Sequence, residues 1–130
     1  MDAHFIIDRN SARCEAFDDD SFIGQLHEAQ IVAHDEYWQL EWALYQLATP
    51  EHFTQELSQK VFRIFSFSSH ALASHFDRKD LFKIRNLKRK QVYEFRFRFK
   101  LVFEGFFAQK MPSPDYFSEV NPLLLGSSDD

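Results

Sequence analysis

From Tyr93 to Phe103 the chain alternates. Tyr93, Phe95, Phe97, Phe99, Leu101 and Phe103 take the odd positions, and Glu94, Arg96, Arg98 and Lys100 fall between them. A period of two places rings on one face of a strand and charges on the other. Leu81 to Asn86 alternates as well, with Phe82 and Ile84 opposite Lys83 and Arg85, and Leu87-Lys88-Arg89-Lys90 reads as the turn between the runs. The pattern predicts a C-terminal β-hairpin. Its second strand would run from Gln91 to Phe107 and span about 56 Å, whereas a domain of this length is roughly 36 Å across. The strand must therefore bend, with Gly105 or the phase break at Leu101-Val102-Phe103 as the bulge.

The middle of the chain has helical spacing. Asp18-Asp19-Asp20-Ser21 is a capping sequence, followed by Phe22, Ile23, Leu26, Ala29 and Ala33. Tyr37, Leu40, Leu44 and Leu47 form the next stripe, so residues 21–48 are one helix or two, jointed near Val32 to Asp35. Thr49-Pro50-Glu51 has the form of a helix start, and Phe53, Leu57, Val61, Ile64, Phe65, Ser68, Leu72 and Phe76 extend the stripe over residues 50–76, with a break possible near Ser66–Ser69. His4–Ile7 and Arg13–Phe17 flank a turn-like Asp8-Arg9-Asn10-Ser11 and suggest a small N-terminal hairpin. The expected fold is α+β, with long helices packed on one face of an antiparallel sheet that includes the long C-terminal hairpin. Its core would set Phe53, Leu57, Val61, Ile64, Phe65 and Leu72 against Phe95, Phe97, Phe99 and Leu101. Residues 1–125 form one domain in this reading. Tyr116, Phe117 and Leu123–Leu125 act as a lid, and residues 126–130 (Gly-Ser-Ser-Asp-Asp) form a disordered tail.

Charge is unevenly distributed within a net of −5. Residues 1–77 carry thirteen acids and four bases, and residues 78–110 carry eleven bases and three acids. Such asymmetry suggests charge-guided partners, or an acidic part and a basic part that neutralise each other within the fold. Cys14 is the single cysteine, which points to a reducing compartment. The N-terminus lacks a basic region followed by an apolar one, and no apolar run approaches membrane-spanning length. The expectation is a soluble cytoplasmic protein without a membrane association.

No catalytic motif is present. His27 and His34 are seven residues apart and His70 and His75 five, neither being a two-histidine metal spacing on a helix, so no metal or other cofactor is expected. Cys14 lies in no nucleophile signature, and the chain is expected not to be an enzyme. The basic hairpin has the cations of a phosphate binder. Strict alternation, however, separates its rings from its charges, which makes nucleic-acid stacking unfavourable.

Taken over its full length, this small, acidic, cysteine-poor, Phe/Trp-rich chain resembles the immunity proteins of bacterial polymorphic-toxin and contact-dependent growth-inhibition systems. The resemblance implies stoichiometric binding of a cognate toxin domain, often a basic nuclease, to block its activity. The acidic face would steer association, with Asp18, Asp19, Asp20, Glu28, Asp35, Glu36 and Glu41 as contacts and exposed Tyr37 or Trp38 as the aromatic anchor. Arg96, Arg98 and Lys100 are the alternative, basic face. The competing expectation is a nucleic-acid-binding or nucleic-acid-mimicking module using the basic hairpin or the acids. Oligomeric state is left open.

Overall fold

A computed structural model describes residues 1–125, and these are helical, with no strand among them. Five helices follow one another: α1 (Ala3–Arg9), α2 (Phe22–Glu28), α3 (His34–Leu47), α4 (Gln55–Phe76) and α5 (Arg89–Ala108). Two short 3-10 turns, Pro114–Tyr116 and Pro122–Leu124, follow α5. The α+β expectation is therefore corrected, since neither hairpin exists and there is no sheet for the helices to pack on. The expected tail, 126–130, lies outside the described residues.

The alternating segment is the middle of α5. A period of two contains a period of four, and residues four apart share a helix face. Phe95, Phe99 and Phe103 are such a series. With Val92, Val102 and Phe106 they form an inward stripe, all of it buried except half-buried Phe95. Between Arg89 and Ala108 only Val92 and Val102 are β-branched and there is no proline, so apart from Gly105 the segment accepts the helix readily. The helix also resolves the length conflict, because its 20 residues rise about 30 Å. The rings consequently divide between the two sides. Phe99 and Phe103 are buried, whereas Tyr93 is 67% and Phe97 51% exposed.

Local capping explains the other corrections. Asp2 accepts a hydrogen bond from the Phe5 amide and starts α1 where a strand was expected. Arg13–Phe17 lies in a run of turns. Ser21 caps α2 through the Gly24 amide, and α2 ends before Gln30, whose φ of 57° is left-handed. The stretch from residue 21 to residue 48 is thus two helices. Thr49-Pro50-Glu51 is a turn, with Thr49 Oγ1 2.8 Å from His52 Nδ1. The helix it was expected to open begins instead after Thr54, whose hydroxyl accepts from the Leu57 amide, and runs unbroken through Ser66–Ser69 to Phe76. Residues 81–86 are a loop. Arg85 donates its amide to the Gln30 carbonyl, and the Asn86 side chain accepts from the Val32 amide and donates to the Val32 carbonyl, tying this loop to the α2–α3 joint.

Helix α5 packs against both α3 and α4, and α1 and α2 each touch the same pair. The core is aromatic where these elements meet. Phe99 stacks on Phe103 with centroids 4.3 Å apart and lies nearly parallel to Phe65, and Tyr37 meets Phe95 edge-on at 4.8 Å. Beyond α5 the chain turns sharply at Gln109 (φ 57°) and passes so close to the helix that a Cβ on Gly105 would stand 2.9 Å from Pro112 Cδ. The second 3-10 turn then packs against α3, while Tyr116 and Leu125, expected in a lid, are exposed.

Candidate functional site

One of the expected acids and one of the expected bases meet inside the protein. Glu41, on α3, is fully buried, and Arg98, on α5, is 8% exposed. Arg98 Nε and Nη2 donate to the two carboxylate oxygens of Glu41, each at 2.8 Å. Tyr37 Oη donates to Glu41 Oε1 at 3.1 Å, and Asn121 Nδ2 donates to Oε2 at 3.0 Å. Four donors thus occupy the carboxylate's four lone-pair sites. Burial, and then the Glu41 charge, raise the Tyr37 hydroxyl well above its ordinary pKa. The guanidinium also lies over two rings, its Cζ 4.7 Å from the centroid of Trp38 and 4.4 Å from that of Phe117.

This cluster fastens the C-terminal segment. Arg98 Nη1 donates to the Glu119 carbonyl, and Asn121 donates a second hydrogen bond, to the Trp38 carbonyl. Tyr45 Oη pins the start of the segment through the Pro112 carbonyl at 2.7 Å. Burial, followed by the Glu41 charge, lifts the Tyr45 pKa to about 12. A carboxylate with every acceptor site filled has no lone pair free to take a substrate proton. The chemistry that this arrangement supports is fastening, in a geometry that holds one face of α5 open.

That open face is a cleft of about 590 Å³ between α5, the start of α3 and the C-terminal segment. Tyr93, Phe97 and Tyr116 (63% exposed) line it as exposed rings, with half-buried Phe95 and Phe117 deeper. Glu94 and Glu119 are its acids, and His34 sits 3.4 Å from Glu119. The one guanidinium in the wall, that of Arg98, is already engaged. The cleft is therefore aromatic and acidic.

The expected contact residues are dispersed. Asp18 and Glu36 both accept from Arg9, which joins them, and a hydrogen bond from the Asp20 amide, then Arg9, hold the Asp18 carboxyl below its ordinary pKa. Asp19, Asp20, Glu28 and Asp35 are exposed. Tyr37 and Trp38, expected as exposed anchors, are 1% and 9% exposed, because the α3 stripe faces α5. Glu41 is in the core for the same reason. On the basic side, Arg96 and Lys100 are exposed one turn apart and Arg98 points inward, so a strand-like row of three cations does not exist. The anchors that residue patterns did not single out are Tyr93, Phe97 and Tyr116. Read at helical spacing, Tyr93 and Phe97 are four apart and away from the buried stripe, and that signal would have found them.

No group of three or more His, Cys, Asp or Glu side chains is placed to hold a metal ion among the described residues. No helix among them is long and apolar enough to cross a membrane. Comparison with protein-family models, with curated proteins and with solved structures gives no match to this chain.

Proposed function

We propose that this protein is a stoichiometric inhibitor of another protein, an immunity protein acting in the cytoplasm on a toxin domain. The observation that carries this reading is the cleft of exposed rings beside two carboxylates, Glu94 and Glu119, with His34 as the only basic side chain within ion-pair distance of them among the described residues. Exposed Tyr and Phe around a concave surface are anchor chemistry for protein binding, and rings with Glu94 and Glu119 suit a Lys or Arg side chain of a basic partner. The exposed acids Asp19, Asp20 and Asp35 add long-range attraction of the same sign. The full-length resemblance to immunity proteins narrows the partner class to a toxin, with a basic nuclease as the first candidate.

The test begins with the gene immediately upstream, which should encode a large secreted protein with a variable C-terminal domain. That domain, mixed with this protein, should form a 1:1 complex by native mass spectrometry. Tyr93→Ala and Phe97→Ala should each weaken it by roughly 30-fold, the scale of a hot-spot contact. An unaltered affinity in both variants refutes the cleft, and absence of any complex refutes the inhibitor reading.

A second reading rests on a separate observation. None of the eight Lys and Arg residues between Arg78 and Arg96 is in an ion pair among the described residues. Three of them, Lys88, Arg89 and Lys90, crowd the positive end of α5 without a compensating acid in its first turn. Phosphate contact would relieve that repulsion. Binding of generic RNA or DNA that weakens linearly in log salt supports it, and no binding at low salt removes it.

A further inference from the structure

A second cavity, of about 800 Å³, opens where the loop after α1 meets α2 and the middle of α4. Its volume is within the usual range for small-molecule sites. Phe17, Ile23, Ile64 and Phe67 give it an apolar lining, Ile23 and Ile64 being 5% and 2% exposed. Two polar side chains in the wall are already spent on the protein. Asn10 donates to the Ile6 carbonyl and accepts from the Ile23 amide, and Ser11 donates to the Ile7 carbonyl.

The charges at the rim are unequal. Lys60 is held by Asp8 at 2.8 Å and Glu56 at 3.2 Å, and His27 faces Glu28 at 3.7 Å. Arg13 and Arg63 remain, both exposed and in no ion pair among the described residues. Glu28 and Glu56 stand at the rim as well, Glu28 facing only His27 and Glu56 sharing Lys60 with Asp8, so Arg13 and Arg63 are its unpaired cations. An apolar chamber with two unpaired guanidinium groups at its mouth suits an apolar body carrying an anion. A carboxylate matches the planar donor fork of arginine. We propose that this cavity binds a single-chain amphiphilic carboxylate, with its tail against Phe17, Ile23, Ile64 and Phe67 and its head group at Arg13 and Arg63. The site is separate from the aromatic cleft and does not depend on the inhibitor reading.

Cys14 supplies the readout, because the chain's only thiol is half-buried in the wall of this cavity. Decanoate, kept below its micellar concentration, should slow alkylation of Cys14 by iodoacetamide saturably. Decylammonium has the same tail and the opposite charge, and it should protect far less. Arg13→Glu and Arg63→Glu should each weaken decanoate protection about tenfold or more, the loss of a charge-assisted contact. Both side chains are exposed, so the variants should melt within a few degrees of the parent. Absence of protection by decanoate overturns the proposal, and so does equal protection by decylammonium. Should either variant fail to fold, the contrast between the two amphiphiles on the parent protein decides alone.

Discussion

Glu41→Gln alters the shape of the core least and its charge most. The carboxylate accepts four hydrogen bonds, two from Arg98 and one each from Tyr37 and Asn121. A glutamine amide has one oxygen and one NH2. If the NH2 replaces Oε1, it can donate to Tyr37 Oη but confronts Arg98 Nε, donor against donor. If it replaces Oε2, it confronts Arg98 Nη2 and Asn121 Nδ2 together. In either orientation a guanidinium that is 8% exposed keeps its charge and loses its counterion. Breaking a buried pair from one side costs about 3–5 kcal/mol. The whole fold, at 130 residues, has about 7–20 kcal/mol to lose. Urea unfolding followed by far-UV circular dichroism should therefore show a markedly lower midpoint at unchanged slope. The double variant Glu41→Leu/Arg98→Met removes both charges and should recover to within about 2 kcal/mol of the parent, giving a strongly non-additive cycle. A Glu41→Gln cost below about 1 kcal/mol, or a double variant as unstable as the singles combined, would refute the account of the cluster as a fastening ion pair.

Four further outcomes are expected. Gly24→Ala should destabilise by about 1–3 kcal/mol or more in urea titrations, because the new Cβ would stand 2.4 Å from the Asp19 carbonyl oxygen, a backbone atom that cannot swing aside. Ser68→Ala should be neutral or stabilising by up to roughly 1 kcal/mol, since the Ser68 hydroxyl is buried without a hydrogen-bond partner. Tyr45 is raised to about 12, so its contribution is complete below its unfolded pKa near 10 and is lost as pH rises towards 12. Tyr45→Phe should accordingly lose less stability than the parent between those pH values, read as the difference in urea midpoints. His75 is held below its ordinary pKa by burial first, then by Lys83 and Arg89, so its contribution is present above about pH 6.5 and lost as pH falls through the folded value. Molar salt should raise its NMR titration midpoint by screening the two cations, and a midpoint insensitive to salt would remove them as a cause.

Helices α3 and α4 were legible because their stripes step by three and four. Tyr37, Leu40, Leu44 and Leu47 are all buried, as are Leu57, Val61, Ile64 and Leu72, and the expected end of α4 at Phe76 is its observed end. Helix α5 was not legible, because a strict alternation satisfies strand and helix spacing together. Two signals spoke against a strand, its conflict with the size of the domain and the series Val92, Phe95, Phe99, Val102 and Phe106 at steps of three and four. That misreading carried the site with it. On a strand, Phe97 would be buried beside Phe99, whereas on a helix the two part company and Phe97 reaches the cleft. The Glu41–Arg98 pair is 57 residues apart in sequence, and nothing local links an acid in one amphipathic stretch to a base in another. The uneven charge did carry a hint of it, since mutual neutralisation was one of the two readings it allowed.

Asn121 reaches Glu41 across 80 residues of chain. With α3 and α5 docked through Glu41 and Arg98, the loop still to close runs from Arg98 to Asn121 and costs about 3 kcal/mol beyond a fixed term. The partners of this clasp lie on α3 and α5, so it is complete only where those two helices are docked. Tyr116, Phe117 and Glu119, which it carries, complete one wall of the aromatic cleft. A chain still emerging from the ribosome, or one arrested with its helices docked and its end loose, therefore presents Tyr93 and Phe97 without the opposing wall. Only a molecule that has finished folding has the whole cleft, and any ligand that spans both walls selects finished molecules and holds them closed.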